Sequence, residues 1–305
     1  MKKTRLYFLI SCLFFVIPLI AIGHKSSTEI NKQNRFDKFE YIDSIAYLCS
    51  DTVYREYLQG GKIQKSEPSY KILTNLDKSV EKVLRGISSK SLNKGSVVVW
   101  SIYNMGYIIQ TDKGSIGIDI HCRDAKRFAK YIDALLITHS HNDHYRKDLI
   151  EEMERLNKPV ISNWVDNPYK CETERSFKIG NFDISTHLGN HYFWEKESQN
   201  DMLMFVVATN GTKILHTGDN SSLEKLEGLP KVDLFILHHD IIKSLPEAVK
   251  MIQPKLTILS HVMELGHPRT VNGYRWTFTH ALAKSFLLKD ARHVILFWGD
   301  KIRLK

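Results

Sequence analysis

The sequence predicts an α/β fold with helices packed outside a sheet core. Three observations carry this. From about Gly95 onward, short apolar runs rich in Val, Ile and Leu recur along the chain. Helical segments fall between several of them, and such a mixture buries its strands in sheets and places helices outside. Several runs also end on histidine or aspartate, and loops beyond strand ends collect on one edge of a layered fold, where sites are built.

The chain of 305 residues is long enough for one large domain or two small ones. Its apolar and charged fractions, 43% and 25%, are those of a globular protein, which excludes a disordered or collagen-like class. Lys2, Lys3 and Arg5 precede an uncharged apolar run from Leu6 to Ile22, with Gly23 and a polar stretch after it. A basic start, an apolar run and small residues at its end read as an export signal cleaved near Gly23. The run, roughly 17 residues, is also at the lower limit for spanning a bilayer, so residues 1–23 are a signal peptide or a membrane anchor. Leu9-Ile10-Ser11-Cys12 resembles a lipoprotein box, but the apolar run continues well beyond Cys12.

Residues 24–94 read as a helical extension. Phe36, Phe39, Ile42 and Ile45 recur at near-helical spacing, as do Ile72, Leu76, Val80, Val83 and Leu84. Gly60-Gly61 and Ser66 to Ser69 break the helical stretches. No cluster of nucleophiles or metal ligands appears here, so packing on the main domain is the expected role, with a lid or partner surface as the alternative.

Residues 95–305 carry the strand pattern. Val97 to Trp100 and Gly106 to Ile109 read as strands, and Ser115 to Ile120 follows the turn Asp112-Lys113-Gly114 as a hairpin partner. A helical segment with Phe128, Tyr131 and Ile132 leads to the strand Ala134 to Ile137. A helix over Leu149 to Leu156, a strand at Pro159 to Ser162, and further strands near 182–184, 204–207, 213–216, 232–237 and 256–259 complete the middle. Helices are expected over 246–252 and 281–288, with a closing strand at 294–298.

The formal net charge of +9 falls to about +6 without Lys2, Lys3 and Arg5, and it is spread without a basic block. That weakly favours anionic surfaces or substrates; nucleic acid is not expected. Beyond the N-terminal segment stand Cys49, Cys122 and Cys171, a sparse, odd set that does not read as a disulfide framework, with one pair able to form in an oxidising compartment as the alternative.

The most informative run is Thr138-His139-Ser140-His141-Asn142-Asp143-His144, directly after a buried-looking strand. Imidazole and carboxylate hold zinc, manganese or iron at catalytic sites, and polar groups this dense are costly unless something satisfies them. In an extended segment, side chains two apart share a face, so His139 and His141 can reach one ion. Asp143 and His144 lie past the strand end and can aim at a second ion nearby. Further ligand types follow other runs: His187 and His191 before the strand at Met204, Asp219 after Ile214 to Thr217, and His261 after Thr257 to Ser260.

These segments, His-x-His-x-Asp-His, a lone His, Gly-Asp and a final His in that order, resemble the metallo-β-lactamase superfamily from about Gly95 to Lys305. The resemblance implies a four-layer αββα sandwich with a two-metal site on one edge, the expected metal being zinc, with manganese or iron as alternatives. Carried over, His139, His141 and His191 resemble the first metal's ligands, and Asp143, His144 and His261 the second's. Asp219 matches the carboxylate that bridges both, and Asp143 and Asp219 are the expected catalytic carboxylates. A bridging Asp is usual in the thioester, lactone and phosphodiester hydrolases of the superfamily rather than in true β-lactamases, so antibiotic hydrolysis is not expected. The short interval from Asp219 to His261 leaves no room for the large insertion of the superfamily's nucleases. The pattern looks most like the branch with ascorbate-phosphate lactonases and N-acyl-phosphatidylethanolamine phospholipase D.

Other residues have two readings. His187 competes with His191, but shares a face with Asp183 and Ser185 in an extended strand, so His191, placed in a loop, is the expected ligand. His238 and His239 read as satisfied surface histidines or supports for ligands. His267 and Asp119 could orient ligand imidazoles, Cys122 reads as a buried thiol, and Tyr192, Phe193 and Trp194 either line a pocket or pack a loop.

The resulting expectation is an exported hydrolase with two divalent ions. A hydroxide bridging them would attack an ester, lactone or phosphodiester, since metal-bound water ionises near roughly pH 7. The partner would be a small-molecule or lipid-like substrate, with membrane association through the N-terminal segment. Alternatives are a nuclease and a non-catalytic or redox use of the same fold.

Overall fold

Alternate residues of the central strands face different neighbours, and that alternation builds the architecture. The computed structural model describes residues 27–89, 92–193, 196–267 and 276–304; the expected signal or anchor, residues 1–23, lies outside them. Three helices, α1 (Ser27–Ala46), α2 (Asp51–Leu58) and α3 (Tyr70–Ser88), precede the strands β1 (Val97–Ser101), β2 (Tyr107–Thr111), β3 (Ser115–Ile118), β4 (Ala134–Leu136). Then follow α4 (Lys147–Arg155), β5 (Val160–Ile161), β6 (Ser176–Ile179), β7 (Phe182–Phe193), β8 (Lys196–Thr209), β9 (Thr212–His216) and β10 (Leu234–His238). The last elements are α5 (Leu245–Ile252), β11 (Leu256–Ser260), α6 (Phe278–Ser285), β12 (His293–Val294) and β13 (Lys301–Arg303).

Two mixed sheets form, in the orders β13-β1-β2-β3-β4-β5 and β12-β11-β10-β9-β8-β7-β6. Val97, Val99, Ile109, Ile116 and Leu136 of the first sheet share one buried cluster with Phe205, Ile214, Ile236 and Ile258 of the second. Their neighbours Val98, Trp100, Leu135, Phe235 and Leu259 belong instead to a cluster that includes the helices. Side chains at successive strand positions point to opposite faces. One face of each sheet therefore meets the other sheet and the opposite face meets helices, which is an αββα sandwich.

The N-terminal helices are fixed to this frame by specific contacts. The Asp43 carboxylate of α1 accepts the backbone N–H groups of Phe278 and Thr279 at 2.9 Å each, satisfying orphan donors at the start of α6. Phe39 stacks on Phe278, with ring centroids 5.1 Å apart. In α3, a Cβ on Gly86 would stand 2.3 Å from the Trp100 ring, so only glycine lets this helix lie so close to β1.

Some elements differ from the sequence expectation. The closing strand expected at 294–298 is the short β12; the chain then turns through Gly299 at φ +76° and crosses to pair β13 with β1 in the other sheet. Phe297 packs on Phe39 rather than extending a strand. The segment around Phe128 is only a 3₁₀ turn, Ala125–Phe128. The stretch from 185 to 203, read largely as loop, is a long antiparallel hairpin of β7 and β8, whose polar residues disguise its strand character. Cys49, Cys122 and Cys171 are free and buried. No helix among the described residues is long and apolar enough to cross a membrane.

Candidate metal centre

Four strands deliver the polar cluster to one edge. β3, β4 and β5 run parallel, as do β9, β10 and β11. Within its sheet the segments leaving β9, β10 and β11 therefore emerge from one strand end, and the ligand atoms that follow β4 and His191 of β7 meet them there. Leaving β4, Thr138 is held from both sheets: its N–H and hydroxyl donate to Asp119 at 2.8 and 2.7 Å, and its carbonyl accepts from Leu203 N–H at 2.8 Å.

One oxygen sits at the focus. Oδ2 of Asp219 lies 4.0 Å from His139 Nε2, 3.4 Å from His144 Nε2, 3.6 Å from His191 Nε2 and 3.4 Å from His261 Nε2. Around it the ligand atoms fall into four groups, each with its atoms within 4.8 Å of one another: His139, His141 and His191; Asp143, His144 and His261; and two that contain Asp219, one with His139 and His144 and one with His238 and His261. Oδ2 of Asp143 is 3.1 Å from His144 Nε2 and 3.3 Å from His261 Nε2. All seven sequence-predicted residues thus meet in one place.

The backbone is shaped to allow this. Gly218 adopts φ +51°, and a Cβ there would stand 2.7 Å from both Thr138 and Met202; glycine alone permits the turn that presents Asp219. His216 supports the same turn, accepting Gly218 N–H on Nδ1 at 3.1 Å and donating from Nε2 to the Met105 carbonyl at 3.0 Å. His191 lies in β7, not in a loop. A register shift between Gly189 and His191 changes the phase of the strand, so His191 faces the centre whereas His187 does not. His187 instead meets Ser185 at 3.1 Å and Glu174 at 3.3 Å. Asp119 and His261 both hold left-handed backbone, at φ +45° and +59°, a cost that tends to concentrate at functional sites.

Two residues hold the second group from behind. Nδ1 of His144 donates to Asp119 at 2.8 Å, which turns Nε2 toward the centre. The side-chain amide of Asn104 donates to Asp143 at 2.7 Å. Asp119 was among the candidates from sequence; Asn104, in the turn between β1 and β2, carries no motif and is visible only in the fold.

Whether a metal suits these residues is decided by their unmet valences. His139 Nε2, His144 Nε2 and Asp219 Oδ1 are buried without a hydrogen-bond partner, and orphan groups of this kind are costly in a protein interior. All are ligand atoms for borderline cations, so the set fits divalent metal. Burial, then the neighbouring His144, holds His139 well below the usual histidine range, and burial also lowers His141. At His144 burial is outweighed by Asp143, Asp219 and Asp119, which hold it well above that range. Asp219 and Asp143 resist burial through His261 and His144, and stay well below the carboxylate range.

The remaining histidines fall out differently. His238 is fully buried rather than superficial; its ring stacks on His261 at 4.1 Å. Its Nδ1 accepts the N–H groups of Asp240 and Ile241 at 3.1 and 3.3 Å, which leaves its proton on Nε2, an atom with no partner. His239 pairs with the Ser260 carbonyl at 2.8 Å. His267 packs edge-on against Trp276 and stands in none of the ligand groups. Tyr192 and Phe193 lie in β7, and Trp194 lies outside the described residues.

A cleft of about 770 Å³ opens beside the centre, lined by His141 and Asp143 and by residues of α2, the segment before α4, and Glu264. Burial, then Asp143, pushes the Glu264 carboxyl up to about 8, and burial lowers His121, also in the cleft, to about 4.

The geometry defines a candidate metal site on one edge of an αββα sandwich, and comparison with known proteins gives its family. A family model described as the beta-lactamase superfamily domain matches residues 92–258. The chain belongs to this superfamily. Igni18, a metallo hydrolase from the archaeon Ignicoccus hospitalis, is 15% identical, with TM-score 0.53 over 69% of this chain and 99% of that one. YhfI from Bacillus subtilis, a metallo-β-lactamase fold protein, is 13% identical, with TM-score 0.52 over 68% and 99%. CmlA, a diiron β-hydroxylase from Streptomyces venezuelae, is 14% identical, with TM-score 0.51 over 70% of this chain and 55% of that one. A search of curated protein sequences gives no match.

Proposed function

We propose that this protein is a two-metal hydrolase acting outside the cytoplasm on an ester, lactone or phosphodiester of a small or lipid-like molecule. The observation that carries the reading is the placement of Asp219, one of whose oxygens lies within 4.0 Å of four imidazole nitrogens drawn from two groups. A carboxylate so placed suits a shared ligand. His139, His141 and His191 would hold one ion and Asp143, His144 and His261 the other, with zinc suited to both sets and manganese or iron able to replace it. When bound, such ions supply hydroxide as a nucleophile near neutral pH and draw charge from the scissile bond.

The chain's own residues do the rest. Asp119 and Asn104 keep His144 and Asp143 in position. Asp219 aligns the two halves. Nε2–H of His238 is a buried donor beside Asp219 and His261 and offers a hydrogen bond to negative charge developing there. Location outside the cytoplasm rests on Lys2, Lys3, Arg5 and the apolar run from Leu6 to Ile22.

The test joins metal analysis to a substrate panel. Protein supplemented with zinc or manganese should carry about two divalent ions per chain and hydrolyse at least one of an ester, lactone and phosphodiester series. One ion or none after supplementation would overturn the two-metal reading. Turnover only with iron and dioxygen would favour oxidative chemistry of the kind named for CmlA. For location, a cytoplasmic protein with Met1 intact refutes export, whereas an intact N-terminus in the membrane fraction favours the anchor.

A further inference from the structure

The cleft beside the metal centre is not built by the superfamily domain alone. One of its walls is α2, which precedes the residues matched by the family model. Arg55, Leu58 and Gln59 line it, at spacings of three and four that place them on one face of the helix. The facing wall is the segment that continues from the metal-ligand run, with Arg146 and Lys147. Arg146 ties the walls together, since its guanidinium donates to the Leu58 carbonyl at the end of α2 at 3.0 Å.

The charges in this cleft are unbalanced. Arg55, Arg146 and Lys147 face it with only two carboxylates, Asp143 and Glu264. Asp143 is engaged by His144, His261 and Asn104, and Glu264 is buried. The cations at the mouth are lightly held: Arg55 stands 3.9 Å from Asp51 and Lys147 3.5 Å from Glu151, with side chains 61% and 85% exposed. Exposed pairs of this kind are worth little and give way to a better partner.

Resting on the hydrolase reading above, we propose that α2 and Arg146-Lys147 form a selectivity wall. The substrate it admits carries, besides the bond that is broken, a second anionic group, a carboxylate or a phosphate, gripped by Arg55 and Lys147. The cleft's volume suits a ligand of metabolite size rather than a polymer. Leu58 and Tyr145 give the linking part of that molecule an apolar surface. Arg146 acts as a positioning residue that fixes α2 to the metal-ligand segment.

The experiment uses the full chain loaded with zinc. Glutarate and phenyl phosphate are titrated calorimetrically into wild type and the Arg55→Gln/Lys147→Gln variant, whose changes lie at exposed positions and whose fold is checked by circular dichroism. At least one anion should bind wild type, and the variant should bind it about tenfold more weakly through loss of two charge-assisted contacts; the anion preferred tells carboxylate from phosphate. In parallel, the ratio of kcat/KM for mono-p-nitrophenyl glutarate over p-nitrophenyl butyrate should fall by about the same factor. Equal affinity in the two proteins, as expected if the anions touch only the metals, overturns the proposal, as does binding of neither. Should no member of the ester, lactone and phosphodiester series be hydrolysed while the difference in anion affinity persists, the hydrolase reading fails and the anion site stands.

Discussion

The two groups of candidate metal ligands are prepared in different ways. His139, His141 and His191 offer three imidazoles, and burial lowers His139 and His141. Their placement comes from backbone: the exit from β4 and the register shift in β7, where His191 N–H is held by Asp201 at 3.0 Å. Asp143, His144 and His261 include a carboxylate and are braced by buried side chains, Asn104 and Asp119. The first half is therefore ready in protonation, and the second in orientation. One oxygen of Asp219 stands within 4.0 Å of imidazole nitrogens from both groups.

The largest effect should come from cutting that link. Asp219→Ala should lower occupancy of both ions and reduce turnover by at least about a hundredfold, because several kcal/mol of charge stabilisation pass through the shared site. Metal analysis and kcat on an established substrate check it; near-wild-type activity would show the halves to be independent. A smaller, one-sided loss is expected from Asp119→Asn, which keeps an acceptor for Thr138 but weakens the grip on His144. Loss of such a support costs about 10–100-fold in metal affinity. Competition with a chelator should show one ion released early and the other retained; equal weakening of both would remove the distinction drawn between the halves.

The same division explains what could be read from sequence. The segment from His139 to His144 is contiguous, so its density alone announces a metal site. The apolar runs Val97 to Trp100 and Leu234 to Leu237 marked strands, because buried strands write their pattern locally, whereas the four layers were only what the family resemblance implied. Asn104 reaches the centre only through strand order, and its short-range context, a turn, holds no signal of it, whereas His238 was a candidate support whose buried place beside His261 appears only in the fold. The register shift before His191 depends on pairing with β8, and the cleft wall on how Arg146 meets the end of α2. Such facts are long-range and appear only when the chain is folded.

Protonation gives a third test. In the metal-free protein, His261 is raised to about 10: burial opposes this, but Asp219 and then Asp143 outweigh it. His144 is raised likewise. A raised histidine pKa stabilises the fold fully below its unfolded value of about 6.5, and that stabilisation is lost as pH climbs through the folded value. The metal-free Tm should therefore fall between pH 7 and 10. His139 and His141, being lowered, act oppositely: their contribution is present above about pH 6.5 and fades as pH drops below it. At pH 7 an ion entering the second half must displace protons, whereas one entering the first need not. Calorimetry in two buffers of different ionisation enthalpy should show proton release with one ion and little with the other; equal release for both would contradict the asymmetry.

The smallest expected effect is the most discriminating for the geometry of β7. His187 and His191 are both histidines of one strand, four positions apart, and without a register shift they would share a face. The shift between Gly189 and His191 separates them: His187 is occupied by Ser185 and Glu174, while His191 Nε2 lies 3.6 Å from Asp219. His187→Ala should leave metal content unchanged and alter stability by at most about 0.5 kcal/mol, the range for surface substitutions away from special features. His191→Ala should lose an ion from the first half and leave His144 and His261 able to hold the other. Metal content and Tm, measured side by side for the two variants, decide the matter. If His187→Ala lost metal as His191→Ala did, the strand would carry its ligands on the other phase and the assignment of the lone histidine would reverse.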